Sequence, residues 1–218
     1  MRRREAAVKS KLIPWTAAAR GKIYGTCTFT LGKNMLMIHY QSLDPSDLDD
    51  LSDIDRRDQS SSWCVIRDGE LVKEERDFKH PGFSSAQWED IIQSWKYKLI
   101  QHEKLLIGAY DENVPIGVAG LDIDQKCGCN KDLFNFGPLW ISPGYRGRGI
   151  GRRLFDLIRE EAEKLDIQGM YVSATPVPRT VGFYKAMGCR LLTCPDPQLY
   201  AEEPEDIHMQ IRFAPQDA

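Results

Sequence analysis

Arg146-Gly147-Arg148-Gly149-Ile150-Gly151-Arg152-Arg153 stands between an apolar run that ends at Ile141 and a helix-periodic stretch that begins near Ile150. A helix start leaves its first amide N–H groups without internal acceptors and carries a partial positive charge. Glycine there lets the backbone approach a ligand closely, because no Cβ intervenes. Strand, glycine-rich turn and helix together make a phosphate cradle, and Arg146, Arg148, Arg152 and Arg153 surround it with positive potential. The spacing rejects two nucleotide motifs. A P-loop needs G-x-x-x-x-G-K-[ST], and no Lys-Ser or Lys-Thr follows. A dinucleotide fingerprint needs G-x-G-x-x-G, whereas the glycines here are Gly147, Gly149 and Gly151. A helix start with glycines for packing and arginines for solubility remains the plainer alternative.

Working outward, Ile150, Leu154, Leu157, Ile158, Ala162 and Leu165 give the helix one apolar face. Upstream lie three predicted strands, Leu105–Tyr110, Ile116–Ile123 and Leu133–Ile141, the first two joined by the turn Asp111-Glu112-Asn113. Before them, Ser84-Ser85-Ala86-Gln87 offers a capping box to a helix striped by Trp88, Ile91, Ile92, Trp95 and Leu99. Leu36–Gln41 reads as a strand, and Asp44-Pro45-Ser46 as the start of a helix bearing Leu48, Leu51 and Ile54. Residues 58–83 read as polar and irregular, with Asp68-Gly69 as a turn. Downstream come a strand Met170–Ala174, a short helix over 178–187, and strands near Arg190–Thr193 and Ile207–Phe213. A hairpin and a strand-loop-helix crossover in one sheet predict an α/β sandwich around a mixed sheet.

The chain has 218 residues, 42% hydrophobic and 28% charged, which fits one ordinary domain with a packed core. No run approaches the about 18 apolar residues of a membrane-spanning helix. Charge is divided unevenly. Residues 1–34 carry eight Lys or Arg against one Glu, and residues 35–218 carry 21 basic against 31 acidic. So acidic a body argues against a nucleic-acid surface and suits a cationic partner, or serves solubility alone. Residues 1–34 show no sustained period and are expected to be a poorly ordered extension, either a targeting presequence or residues upstream of a start at Met35 or Met37. The six cysteines, Cys27, Cys64, Cys127, Cys129, Cys189 and Cys194, are read as reduced in a cytoplasmic protein, since no secretory segment precedes them. Cys127-Gly128-Cys129 lacks a second pair and a nearby His, so loop cysteines are expected rather than a metal site.

Arg146, Gly149 and Gly151 match the [RQ]-x-x-G-x-[GA] signature of the GCN5-related N-acetyltransferases, and Leu139–Arg146 is similar to the strand and turn that precede it there. About 35 residues on, Val181-Gly182-Phe183-Tyr184-Lys185-Ala186-Met187-Gly188-Cys189 resembles that family's F-Y-x-x-x-G-[FC] segment. The resemblance covers 35–213 and implies a GNAT domain: a mixed, mostly antiparallel sheet flanked by helices, with acetyl-CoA as co-substrate, no metal, and direct transfer of acetyl to an amine. It implies cofactor contacts from Leu139, Trp140, Ile141, Arg146, Gly147, Arg148, Gly149, Ile150, Gly151 and Arg152, and a general-acid role for Tyr184. Two departures stand out. Many relatives carry a Glu on the fourth strand as base, but here that stretch is Asn135-Phe136-Gly137-Pro138, which leaves water or an acid such as Asp53 or Asp55. Val177 and Thr180 replace the Asn and Ala common before the tyrosine. The acceptor is expected to be a cationic small molecule; a protein amine, or a catalytically idle acyl-CoA sensor, are the alternatives. A homodimer is common in the family.

Overall fold

The computed structural model describes residues 21–31 and 34–213. Ten strands and four helices follow the order β1 (Ile23–Leu31), β2 (Asn34–Ser42), β3 (Asp58–Arg67), β4 (Glu70–His80), α1 (Ser85–Ile100), β5 (Lys104–Asp111), β6 (Val114–Cys127), β7 (Leu133–Ile141), α2 (Ile150–Lys164), β8 (Gly169–Ala174), α3 (Pro178–Ala186), β9 (Arg190–Leu191), α4 (Pro197–Glu202) and β10 (Ile207–Arg212). Eight strands form one sheet in the order β1-β2-β5-β6-β7-β8-β10-β9. Every pairing in it is antiparallel except β7 with β8.

Side chains alternate across the sheet, so successive residues of β5 feed two cores. Leu105, Ile107 and Ala109 join the core beneath α2, with Leu154, Phe155, Leu157 and Ile158. Leu106 and Tyr110 join the core beneath α1, with Trp88, Ile92, Trp95 and Leu99. The capping box of α1 forms as expected: Gln87 N–H donates to Ser84 Oγ, and Ser84 N–H to Gln87 Oε1. Leu48, Leu51 and Ile54 are fully buried, but on two successive 3-10 turns, Pro45–Asp47 and Asp49–Asp53, in place of the expected helix.

Three further expectations are corrected. The first concerns residues 1–34, set aside as an extension. Ile23–Leu31 is a sheet strand paired with β2, while residues 1–20 lie outside the described residues. Its period was hidden by a register shift between Ile23 and Thr26, which places Tyr24 and Cys27, three residues apart, against the same core. The second concerns 58–83, which forms the antiparallel hairpin β3–β4 around the expected Asp68-Gly69 turn. This ribbon stands outside the main sheet and buries little beyond Trp63 and Cys64, so no apolar alternation marks it. Cys64 N–H donates to the Pro176 carbonyl and ties the ribbon to the β8–α3 connection. The third concerns the cysteines. Cys129 and Cys194 form a disulfide with Cα atoms 6.0 Å apart. Buried Asp196 brings them together by accepting from Gly128 N–H and Lys131 Nζ while capping α4. The inference of a reducing compartment from six free thiols therefore lapses. Among the described residues no helix is long and apolar enough to cross a membrane.

At Gly169, where β8 lies beside β10, a Cβ would fall 2.6 Å from the Ile211 carbonyl oxygen and 2.9 Å from Leu133 Cδ2. Gly169→Ala is expected to destabilise the fold by about 2 kcal/mol, through overpacking against backbone that cannot yield. Urea unfolding of the two proteins measures the loss.

Candidate active site

The site begins with an interruption of the sheet. Along β6, Ala119 opposes Leu139 and Leu121 opposes Phe136, so β7 carries an extra residue at Gly137-Pro138 and bulges. The bulge is pinned from below. Lys104, 3% exposed, donates through Nζ to the Gly137 carbonyl and to Asp122 Oδ1, each at 2.9 Å. β7 and β8 pair only through Phe134–Met170 and Asn135–Tyr171, and past Asn135 the two strands part. A cleft of about 1050 Å³ opens there. Leu139, Trp140 and Ile141 form one wall; Ser173, Thr175, Thr180, Phe183 and Tyr184 form the other.

At one end of this cleft β7 runs through the 3-10 turn Pro143–Tyr145 into the glycine-rich segment and α2. Gly147 and Gly149 adopt φ of +75° and +80°, and a Cβ at either would meet no atom within 4 Å. Left-handed backbone, not crowding, is what requires glycine at both. Arg153 N–H to the Gly149 carbonyl, at 2.9 Å, is the first bond of the α2 ladder. Among the described residues the N–H groups of Gly147, Arg148, Gly149, Ile150, Gly151 and Arg152 have no intramolecular acceptor. A helix dipole is worth about 0.3–1 kcal/mol to an anion, whereas each hydrogen bond to a charged group contributes about 1.5–3 kcal/mol. The free amides therefore outweigh the dipole, and the turn fits a diphosphate.

The arginines divide the work. Arg146 donates Nε to the Ile141 carbonyl at 2.9 Å, and its terminal nitrogens reach Asp58 Oδ1 at 3.1 Å and the Arg57 carbonyl at 3.3 Å. Its side chain thus braces the turn against the start of β3. Arg148 sits 5.4 Å over the Tyr145 ring and does not line the cleft, while exposed Arg152 does. The structure brings every other sequence-assigned contact, and Tyr184, to this one cleft.

Tyr184 projects from α3 and is 6% exposed, against Phe136, Phe155 and Phe183. Burial raises its phenol above the ordinary tyrosine range; Cys189 and the Asp206 carboxyl push the same way, and Arg56 opposes them. Its hydroxyl makes no hydrogen bond among the described residues. Asp53 and Asp55 do not line the cleft. Asp55 is clasped by the Arg57 guanidinium, whose hydrogen bonds hold its carboxyl below the usual range.

Sequence reasoning missed Arg56, His80 and Asp206, all of which line the cleft. The Arg56 guanidinium lies 4.5 Å over Trp140 and 5.3 Å over Phe83, with its buried Nε lacking any acceptor. His80 Nδ1 accepts from Gly82 N–H, and burial lowers its imidazole. Asp206 is pushed up to about 7, first by burial and then by Glu203 and Glu205. The only signal for it was a run of acids, Glu203, Glu205 and Asp206, directly before a predicted strand.

A family model described as the acetyltransferase (GNAT) family matches residues 71–189. No curated protein sequence matches the chain. Among solved structures, nourseothricin acetyltransferase is similar at a TM-score of 0.59 and 16% identity, covering 80% of this chain and 98% of that one. A putative streptothricin acetyltransferase from Bacillus anthracis str. Ames, in complex with acetyl coenzyme A, gives 0.61 and 16%, covering 81% and 99%. The PaiA N-acetyltransferase of Thermoplasma acidophilum, in complex with coenzyme A, gives 0.53 and 18%, covering 81% and 99%. The chain belongs to the GNAT acetyltransferase family, and it is an acyltransferase of that family.

A carboxyl held near 7 in the folded protein but near 3.8 when solvated contributes stability that is complete below pH 3.8 and lost as pH rises through 7. Asp206→Asn is therefore expected to match the wild-type melting temperature at pH 4 and to exceed it by several degrees at pH 8. Thermal melts across that range measure the divergence.

Proposed function

We propose that this protein moves an acetyl group from acetyl-CoA directly to the amine of a cationic small molecule, with Tyr184 as general acid. The observation that carries the reading is the row of acceptor-free amides from Gly147 to Arg152, opening on the same cleft as Tyr184. Those amides would hold the diphosphate, with Arg152 beside them. The edge of β7 left without a strand partner past Asn135, at Leu139–Ile141, would receive the amide-bearing arm of the coenzyme. That arm would lead the thioester toward Tyr184.

Three features support the acid role. The hydroxyl is unengaged, burial keeps it protonated, and a thiolate forming in the same apolar surroundings would gain proton affinity too. A cationic acceptor is favoured by a cleft lining that holds Glu203, Glu205 and Asp206 together with the Trp63 and Phe78 rings, 5.1 Å apart, Glu205 being linked to Trp63 through Arg76. Aromatic faces and carboxylates are what a desolvated ammonium requires. Arg76 already lies 4.4 Å over Trp63 in this manner. The similarity in fold to streptothricin and nourseothricin acetyltransferases supplies a probe of that chemistry.

The direct test is coenzyme A thiol release from acetyl-CoA with streptothricin, spermidine or an N-terminal-alanine peptide as acceptor. Release with a cationic small molecule is the expected result. Tight acetyl-CoA binding without release to any of the three would favour an idle acyl-CoA sensor. Tyr184→Phe is expected to lower kcat about 100-fold while the acetyl-CoA affinity stays within twofold. Gly149→Val forces a branched residue into left-handed backbone; calorimetry is expected to show at least a tenfold loss of acetyl-CoA affinity with the circular dichroism spectrum unchanged.

A further inference from the structure

Five carboxylates line the cleft, and four are engaged. Asp58 holds Arg146 and Arg179, Asp122 holds Lys98 and Lys104, and Glu205 holds Arg76. Glu203 is hydrogen-bonded to Ser173. Asp206 has no ion pair and no side-chain hydrogen bond among the described residues, although it is half-buried. Desolvating a carboxylate without a partner is costly, so a fold retains such a group where something else meets it.

Its position is fixed on both sides. Asp206 N–H donates to the Glu203 carbonyl at 3.1 Å, and the next residue, Ile207, pairs with Ala174 at the end of β8. From Ala174 three residues lead to α3, which carries Tyr184. The charged and titratable groups that bear on Asp206 are Glu203 and Glu205 on its own segment and Tyr184 from α3, with Arg76 from β4 held on Glu205. The two acids disfavour its ionised form, and no cation is bonded to it.

We propose that Asp206 is the general base of the transfer, accepting the proton of the acceptor ammonium in the cleft that Tyr184 also lines. This rests on the transferase reading above. It replaces the carboxylate that Asn135–Pro138 does not supply, and it displaces Asp53 and Asp55, which do not line the cleft. An ammonium with pKa near 10.4 is almost wholly protonated at pH 7, so its nitrogen has no free pair. Asp206 takes one N–H proton, and the freed pair forms the C–N bond to the thioester carbonyl carbon. The C–S bond then breaks with its electrons on sulfur, and Tyr184 gives that sulfur its phenolic proton. The second nitrogen proton returns to the Tyr184 oxygen through solvent, and Asp206 releases its own to water. A carboxyl poised near neutrality suits this exchange better than one ionised from pH 4 upward.

The test compares wild type, Asp206→Asn and Asp206→Glu in thiol release from acetyl-CoA with streptothricin as the acceptor probe, from pH 5.5 to 9. Asp206→Asn is expected to lower kcat about 100-fold, to leave the acetyl-CoA dissociation constant unchanged, and to abolish the inflection near pH 7 in the wild-type kcat/KM profile. Asp206→Glu is expected to recover part of the rate. An Asp206→Asn protein that keeps its rate within twofold and its acid limb unshifted overturns the assignment while leaving the transferase reading intact. If wild type releases no thiol with streptothricin, spermidine or the peptide, the transferase reading fails first, and the base falls with it.

Discussion

The parting of β7 from β8 creates both the cleft and the exposed turn at its end. Two parallel strands joined by a crossover helix would ordinarily pair along their length and bury their edges. Here they pair at Phe134 and Asn135 alone. The bulge at Gly137-Pro138 turns β7 aside, and Lys104 holds it there from within the core. A backbone edge and a cleft are exposed where a continuous sheet would have been. Because α2 starts at the end of β7, the same divergence leaves its first amides facing the opening.

Around this opening the fold keeps some polar groups engaged and leaves others idle. Arg146 is engaged by Ile141, Asp58 and Arg57, which braces the turn. Asp122 and Glu205 are likewise neutralised by lysine and arginine. By contrast, among the described residues the amides from Gly147 to Arg152, the Tyr184 hydroxyl, the Arg56 Nε and the Asp206 carboxyl have no hydrogen-bonding partner. Unpartnered groups around one cleft are better explained by ligands than by the stability of the domain, which each of them lowers.

Much of this was legible in the sequence where local pattern and tertiary burial agreed. The α2 stripe, the α1 capping box and the β5–β6 hairpin each carry their own signal, and the glycine turn declared itself by conformation. The failures have distinct causes. A bulge near Gly25 broke the alternation of β1. The β3–β4 ribbon is solvated on both faces for most of its length, so it carries no apolar period. Cys129 and Cys194 are 65 residues apart and meet only because Asp196 clasps the turn between Gly128 and Lys131. Asp206 was one acid among many in an acidic body; what distinguishes it among the carboxylates of the cleft is the absence of a partner, which only the folded chain displays.

A crystal structure of the protein with acetyl-CoA would show whether the glycine-lined turn holds the coenzyme. Diphosphate oxygens are expected within hydrogen-bonding distance of the Gly147, Gly149, Ile150 and Gly151 amides, with the thioester carried along β7 toward Tyr184. A coenzyme bound elsewhere, with those amides left to solvent, would contradict this placement.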